Sequence, residues 1–313
     1  MDSLNLASLA EHFSDADKAR QFLEGQRWPN GPVCPHCDST EIYKLTPKTS
    51  KKGKHVRVGV YKCARCREQF TVTVGTIFED SHIPLHKWLF AIHLLCASKK
   101  GMSAHQLHRM LGVTYKSAWF MAHRIRYAMS QPSFKEKLRG IVEADETYVG
   151  GKGKTQFMGR ATGKTRTAVV SVIQRDGDAR SFPVTRVTGE NLSEIIRKNV
   201  DRSAAFCTDE FPSYKNIGHM FEGGHHTVTH SKGEYSREWV HVNSCEGLFA
   251  TLKRGLTGVY HQVGQHHLHR YLGEFDFRYN TRKLKDGQRT LMAIQQSAGK
   301  RLMLRDSKEQ KAG

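Results

Sequence analysis

Three acidic residues in this sequence are placed where metal-dependent phosphoryl chemistry could take place. Asp145 and Asp209 each follow an apolar run that predicts a buried strand, and Glu246 lies in a segment whose apolar residues recur at helical spacing. Lys253 follows Glu246 by seven residues, or two helical turns, and therefore faces the same way. Carboxylate oxygens are ligands for Mg²⁺ and Mn²⁺, and two such ions can activate a water and stabilise the leaving oxygen of a phosphodiester. These residues predict cleavage or transfer of a DNA strand.

Four of the seven cysteines form two C-x-x-C pairs, Cys34 with Cys37 and Cys63 with Cys66, separated by 25 residues. Each pair can form a knuckle whose two thiolates contribute to a tetrahedral Zn²⁺ site. The sequence has no run of 18 apolar residues and no signal-peptide pattern in its first 30 residues, so we expect a cytoplasmic protein with no membrane partner. In that compartment the odd number of cysteines favours one structural zinc over a disulfide framework.

Basic charge is concentrated ahead of the three acidic residues. The net charge is +19, and residues 42–140 carry 19 Lys and Arg against four Asp and Glu. Such a block attracts a DNA phosphate backbone through salt-dependent electrostatics. Between the two cysteine pairs the sequence predicts a β-hairpin with a basic tip. The candidate DNA contacts there are Lys51, Lys52, Lys54 and Arg57.

Three helices are predicted after the cysteine pairs. Pro84 begins the first, Ser103 caps a short second helix that turns at Gly112, and the third runs from Thr114 to about Ala128. A short helix, a glycine turn and a basic following helix resemble a helix-turn-helix, although an ordinary three-helix packing unit would have the same pattern. In the first interpretation the third helix contacts DNA. Its candidate contacts are Tyr115, Lys116 and Ser117 in the major groove, and Arg124 and Arg126 on phosphates.

From Gly140 the sequence changes to strand-like patterns. Three predicted strands, a helix and two further strands follow in order, which indicates an α/β domain. The segment 159–165 has three residues between its glycines where a nucleotide-binding P-loop has four, and a strand follows it, so ATP is not an expected ligand. The loop after the first strand is basic, and we expect it to lie along bound DNA. Its candidate contacts are Lys152, Lys154, Arg160 and Lys164.

Four motifs occur in the order typical of one protein family. The first is the D-E-x-Y-x-G-G-K sequence Asp145-Glu146-Thr147-Tyr148-Val149-Gly150-Gly151-Lys152. The others are Thr208-Asp209-Glu210 with Tyr214, His241-Val242-Asn243 leading to Glu246 and Lys253, and Phe277-Arg278-Tyr279-Asn280. Across residues 20–290 the chain therefore resembles the DDE-type transposases of bacterial insertion sequences that carry an N-terminal zinc ribbon.

This resemblance implies an α/β, RNase H-like catalytic domain with Asp145, Asp209 and Glu246 as metal ligands. Asn243, three residues before Glu246, could share or take the third position, and Lys253 would hold a phosphate. The implied domain order is a helical lead at 1–28, a zinc ribbon at 29–80, a helix-turn-helix-like DNA-binding module at 81–139, the catalytic domain at 140–297 and a polar tail at 298–313.

The resemblance also implies a reaction. The enzyme would bind the terminal repeats of its own mobile element and a target DNA duplex, as a homo-oligomer and without ATP. With two Mg²⁺ or Mn²⁺ ions, hydrolysis would free a 3′ hydroxyl that then attacks the target strand. Two other interpretations stay open: a domesticated transposase that acts as a DNA-binding regulator, and an RNase H-like nuclease that only hydrolyses.

Overall fold

The computed structural model describes residues 5–13, 15–46, 58–130, 136–150 and 166–303. Within these ranges, residues 5–129 and 284–303 form one compact unit, and residues 130–283 form a second. None of the helices in the described ranges is long and apolar enough to cross a membrane.

The zinc-ribbon part of the first unit has an aromatic core. Helices α1 and α2, Leu6–His12 and Ala16–Arg27, precede three short strands. The strands, which form an antiparallel sheet in the order β1-β2-β3 within the described residues, are β1 Ile42–Lys44, β2 Tyr61–Cys63 and β3 Gln69–Phe70. Tyr61 stacks on Phe70 at 5.8 Å between ring centroids, and Trp28 packs edge-on against both rings. A sheet this small buries little apolar area, so a bound metal is expected to supply much of its stability.

Three helices follow within the first unit, as the sequence predicts. They are α3 Leu85–Ala97, α4 Ala104–Leu111 and α5 Tyr115–Met129. The Ser103 hydroxyl caps α4 by accepting a hydrogen bond from the Gln106 N–H at 3.2 Å. Gly112 ends α4 in the left-handed conformation, with φ +58°, which glycine adopts without the steric cost of a Cβ atom.

The C-terminal segment returns to the first unit, although the predicted catalytic domain extends to residue 297. The helix Asp286–Gln295 packs against α3, and the hydroxyl of Thr290 on this helix lies 3.0 Å from His93 Nδ1. Leu302, in the predicted polar tail, is buried in the same unit. Apolar and polar contacts that are distant in sequence therefore decide where this segment lies.

The second unit contains a mixed sheet. Its described strands are β4 Ile141–Val149, β5 Thr167–Gln174, β6 Ala179–Val184, β7 Ala205–Thr208 and β8 His225–Thr227. Their order is β6-β5-β4-β7-β8; β4, β5 and β6 run antiparallel, whereas β7 and β8 run parallel to β4. Helix α6, Gly189–Asn199, connects β6 to β7. The predicted α/β class and the predicted order of strands and helix are confirmed.

Apolar residues on both faces of β4 explain why the sheet is covered on two sides. Val142 and Ala144 pack in a buried cluster with Leu192 of α6. The opposite face is covered by α7, Asn243–Gly255, and α8, Leu268–Asn280. A short hairpin of β9, Ser236–Arg237, and β10, Val240–His241, leads directly into α7.

Helix α8 also satisfies the exposed edge of strand β6. Asn280 accepts a hydrogen bond from the Ala179 N–H at 2.7 Å and donates to the Ala179 carbonyl at 3.1 Å, as a neighbouring strand would. Asp276, one turn earlier, accepts from the Ser181 N–H at 2.8 Å. Asn280, the last residue of the Phe277-Arg278-Tyr279-Asn280 motif, therefore has a structural role.

Candidate active site

Parallel pairing of β4 with β7 brings two of the predicted catalytic carboxylates together. Glu143 lies opposite Cys207, so continuing this register places Asp145 beside Asp209, two residues farther along each chain. Residues two apart on a strand share one face of the sheet. Asp145 does not end its strand as the sequence suggests, because β4 continues along β5 to Val149.

Glu246 lies in the first turn of α7, on the same side of the sheet, and its side chain is exposed. Burial raises the pKa of Asp145 to about 6, and the negative charges of Asp209 and Glu246 act in the same direction. Burial also raises the pKa of Asp209. The three carboxylates therefore form one electrostatically coupled cluster, in which a divalent cation would relieve the repulsion.

The donor atoms of this cluster are more widely spaced than those of a closed site for one ion. Among the described residues, only the four cysteines place all their donor atoms within 4.8 Å of one another. Two ions about 3.5–4 Å apart need ligands spread over a wider site. Carboxylate oxygens are the donors that suit Mg²⁺ or Mn²⁺ in that arrangement.

Glu146 follows Asp145 but faces the opposite side of the sheet. Its carboxylate accepts a hydrogen bond from the buried Tyr214 hydroxyl at 3.0 Å. Burial raises the pKa of Glu146 to about 7, with the charge of Asp209 contributing in the same direction. Glu146 therefore lies next to the carboxylate cluster, and the Tyr214 hydroxyl holds its side chain in place.

His230 is a site residue that the sequence does not single out. Burial raises the pKa of both Asp145 and Asp209, and the electrostatic interaction with His230 partly offsets that rise in each, so His230 lies within electrostatic range of both. The loop that carries it is fixed by Glu210, whose carboxylate accepts the N–H groups of His230 and Ser231 at 2.8 and 2.9 Å. The only sequence signal for this residue is the high density of histidines in this part of the chain, and that density does not distinguish His230 from the others.

Asn243 and Lys253 lie on the same helix as Glu246. Asn243 is the first residue of α7, Lys253 follows Glu246 by two turns, and both side chains are exposed. Their predicted roles, as an alternative metal ligand and as a phosphate contact, stay predictions.

The predicted contacts of α5 with DNA divide into two groups. Tyr115 and Lys116 are exposed at the start of the helix, and Ser117 is half-buried beside them. Arg124 and Arg126 are only 6% and 2% exposed. The Arg124 guanidinium donates to the carbonyls of three residues, Ile77, Glu79 and Leu302, at 2.8–2.9 Å. The predicted phosphate contacts of Arg124 and Arg126 are therefore wrong, because both side chains are buried within their own unit.

The remaining predicted DNA contacts lie outside the described residues. They are Lys51, Lys52, Lys54, Arg57, Lys152, Lys154, Arg160 and Lys164.

The four predicted zinc ligands converge in the first unit. The Sγ atoms of Cys34 and Cys66 are 3.6 Å apart, as are those of Cys37 and Cys63. Tetrahedral Zn–S bonds of about 2.3 Å place sulfur atoms about 3.8 Å apart, so this donor set fits Zn²⁺. The backbone N–H of Cys66 lowers the pKa of the Cys63 thiol to about 6, which favours the thiolate that binds zinc.

Asp145 and Glu146 are expected to make a contribution to the unfolding free energy of the magnesium-free protein that falls as the pH rises from about 4 to about 7. Burial raises the folded-state pKa values of Asp145 and Glu146 to about 6 and 7 from ordinary values of 3.8 and 4.5. Over that range these two carboxyl groups bind more protons in the folded state than in the unfolded state, so the stability that they contribute decreases with pH. Urea unfolding at several pH values checks this.

The matched variant for this measurement combines Asp145→Asn with Glu146→Gln. Its stability should exceed that of the wild type by an amount that grows with pH. Part of the pH dependence should remain, because burial also raises the pKa of Asp276 to about 7. A difference that is constant from pH 4 to pH 7 would contradict the prediction.

Comparison with known proteins is consistent with both sites. Residues 137–280 match the ISXO2-like transposase domain, and residues 14–69 match the transposase zinc-ribbon domain. The first range contains Asp145, Asp209 and Glu246, and the second contains the four clustered cysteines.

Individual relatives were also found. An uncharacterised protein in the transposable element ISH50 of Halobacterium salinarum is 27% identical over 300 residues, covering 91% of this chain and 98% of that protein. The structure of a Mos1 transposase paired-end complex with the left transposon end has 13% sequence identity and a TM-score of 0.21, with coverage of 68% of this chain and 80% of that one.

Proposed function

Because the chain belongs to the insertion-sequence transposases with an ISXO2-like catalytic domain and a zinc ribbon, we propose that it cleaves and joins DNA at the ends of its element. The observation that carries this proposal is the coupled cluster of Asp145, Asp209 and Glu246 beside the β4–β7 pairing. The antiparallel β4-β5-β6 strands with β7 and β8 parallel to β4 support an RNase H-like catalytic domain.

The proposed roles follow from the positions of the side chains. Asp145, Asp209 and Glu246 would hold the metal ions, because the charges of Asp209 and Glu246 both act on the carboxylate of Asp145. When bound, Mg²⁺ or Mn²⁺ would stabilise charge on the phosphodiester oxygens and lower the pKa of a water. Lys253 would hold a nearby DNA phosphate, and Glu146 would support the cluster from the far side of the sheet.

The proposed reaction has two steps at phosphorus. In the first, a water oxygen bonds to phosphorus as the P–O bond to the element's 3′ oxygen breaks, and this frees a 3′ hydroxyl. In the second, that hydroxyl attacks a target phosphodiester, and the target strand leaves with its own 3′ hydroxyl. One phosphodiester is formed for each one broken in the second step, so no ATP is needed.

We propose that the element end and the target are bound as duplex DNA by the basic regions of the chain. These are the start of α5 and the two basic segments that lie outside the described residues. Joining two element ends requires both in one assembly, so we propose a homo-oligomer on DNA. Reaction on genomic DNA in bacteria would take place in the cytoplasm.

Lys116→Ala and Arg124→Met are expected to have different effects. Removing the exposed Lys116 charge should weaken DNA binding and reduce the slope of log K against log salt by about 1, the contribution of one phosphate contact. Arg124→Met should lower the melting temperature without changing that slope, because three backbone carbonyls lose their donor. DNA binding at several salt concentrations and thermal unfolding distinguish them.

The proposed function is tested with a duplex that carries the element's terminal repeat, a target duplex and Mg²⁺ or Mn²⁺. The transposase interpretation requires a joined product as well as a cleaved one. Cleavage without joining would favour a nuclease, and specific binding without cleavage would favour a regulator. Comparing Glu246→Ala with Asn243→Ala in the same assay identifies which of the two residues is the third ligand.

A further inference from the structure

We propose that Glu143 is the positioning residue for Glu246, and that it fixes the N-terminus of α7 against the strand that carries Asp145. This role deepens the proposed function and rests on the metal site proposed there. Glu143 lies on β4 two residues before Asp145, on the same face of the sheet, and its side chain is fully buried.

The direct contact is between Glu143 and Ser244 at the second residue of α7. The Ser244 N–H donates to Glu143 Oε2 at 2.8 Å, and the Ser244 hydroxyl donates to Glu143 Oε1 at 3.0 Å. The first N–H groups of a helix have no partner within the helix. Val242, which precedes α7, makes no side-chain capping hydrogen bond. The Glu143 carboxylate on β4 therefore caps the N-terminus of α7. Its negative charge also interacts favourably with the positive end of the helix dipole.

Arg175 holds the same carboxylate from the other side. Its Nε donates to Glu143 Oε1 at 2.9 Å, and its Nη1 donates to the Trp239 carbonyl at 2.8 Å. His241 Nδ1 lies 3.3 Å from the same Glu143 oxygen. Glu143 and Arg175 together thus bind both the β9–β10 hairpin and the first turn of α7.

This arrangement fixes the distance between two of the proposed metal ligands. Asp145 and Glu143 are on one rigid strand, and Glu246 follows Ser244 by two residues on one rigid helix. With Glu143 and Ser244 joined, the distance between the Asp145 and Glu246 carboxylates is set by two regular elements rather than by a loop. Residues that hydrogen-bond to metal ligands are worth about 10- to 100-fold in metal affinity, and Glu143 acts on Glu246 through Ser244 in the same helical turn.

The alternative is that Glu143 only stabilises the fold, and Asp276 provides a matched control for it. Asp276 is also a buried carboxylate that accepts hydrogen bonds from the N–H and the hydroxyl of a single serine, Ser181. It joins α8 to β6, and neither element carries a predicted metal ligand. Glu143→Gln and Asp276→Asn therefore weaken the same kind of contact with a serine at and away from the site, and only Glu143 has the additional contact with Arg175.

The test is a calorimetric titration of the full chain with Mn²⁺ in the absence of DNA, with zinc left in place. Asp145→Ala identifies the heat that belongs to the carboxylate site. Glu143→Gln is expected to weaken that binding about 10- to 100-fold, and Asp276→Asn to leave it unchanged. Equal affinities in the two variants, or no Mn²⁺ binding at this site in the wild type, would overturn the proposal.

Ser244→Ala provides a milder version if Glu143→Gln fails to fold. It removes only the hydroxyl donor and keeps the N–H, so a smaller loss of Mn²⁺ affinity is expected, and none in a Glu246→Ala background. If Ser244→Ala still lowers Mn²⁺ affinity in the Glu246→Ala background, the serine does not act through Glu246.

Hydrogen exchange adds a readout that does not involve metal. Amides of residues 243–247 should exchange faster in Glu143→Gln than in Asp276→Asn at matched stability, and equal rates would contradict the positioning role. Failure of the proposed function would be distinct: a wild type that binds Mn²⁺ through Glu246 but yields no joined DNA would leave the role of Glu143 intact.

Discussion

Asp145→Asn is expected to abolish DNA cleavage and joining while making the magnesium-free protein more stable. The loss of activity should be about 1,000-fold or more. A metal ion contributes several kcal/mol of transition-state stabilisation, and each factor of ten in rate corresponds to about 1.4 kcal/mol. The neutral amide of asparagine cannot supply the negative charge with which the Asp145 carboxylate would help to hold the proposed metal ions.

The gain in stability has a separate cause. Burial and the charges of Asp209 and Glu246 disfavour the ionised form of Asp145 and raise its pKa to about 6, so at pH 7.5 the wild type folds with an unfavourable charge. Asparagine removes this charge and keeps the oxygen that accepts the Glu146 N–H, a bond of 2.7 Å in the wild type. The melting temperature should therefore rise by a few degrees, at about 2–4 °C per kcal/mol for a domain of this size.

Asp201→Asn is the control for the change in charge. Hydrogen bonds from the Ser203 hydroxyl and N–H lower the pKa of Asp201, so its ionised form stabilises the folded state and the same substitution should lower the melting temperature. Mg²⁺ should raise the melting temperature of the wild type and leave that of Asp145→Asn unchanged, because only the folded wild type binds it. Mg²⁺-dependent joining by Asp145→Asn would exclude Asp145 from the catalytic site.

Cys63→Ala is expected to release zinc and unfold the ribbon. The binding free energy of a structural zinc, about 10–16 kcal/mol in small zinc domains, is folding free energy. The ribbon sheet has only a small aromatic core to offset its loss. Zinc analysis after exposure to a competing chelator, together with limited proteolysis, should show loss of metal and new cleavage between residues 58 and 80.

Cys96→Ala is the matched control for the zinc prediction. Cys96 is a buried cysteine in α3 of the same unit and lies outside the cluster of four. It should keep one zinc per chain and resist proteolysis as the wild type does. A Cys63→Ala chain that retains zinc against the chelator would show that Cys63 is not a ligand.

Several features were predictable because their signals are local. Each C-x-x-C pair places two thiolates on one knuckle with two residues between them, and the structure brings all four together. Ser103 and Gly112 mark the ends of α4 through their own backbone and side-chain chemistry. Apolar runs also predicted the succession of strands before and after α6 along the chain, since a strand that is covered on both sides must be apolar on both.

Other features depended on contacts between distant parts of the chain. Arg124 and Lys116 have the same charge in the sequence, but only Arg124 is enclosed by carbonyl groups, including one 178 residues away. The contact of Glu143 with Ser244 spans 101 residues, and Glu143 has no spacing that distinguishes it from other acidic residues. The sequence alone determined which residue types can bind metal and which segments become strands or helices, because propensity and periodicity are local. Tertiary structure alone decided which charges are buried and which side chain fixes each ligand, because those depend on where the chain meets itself.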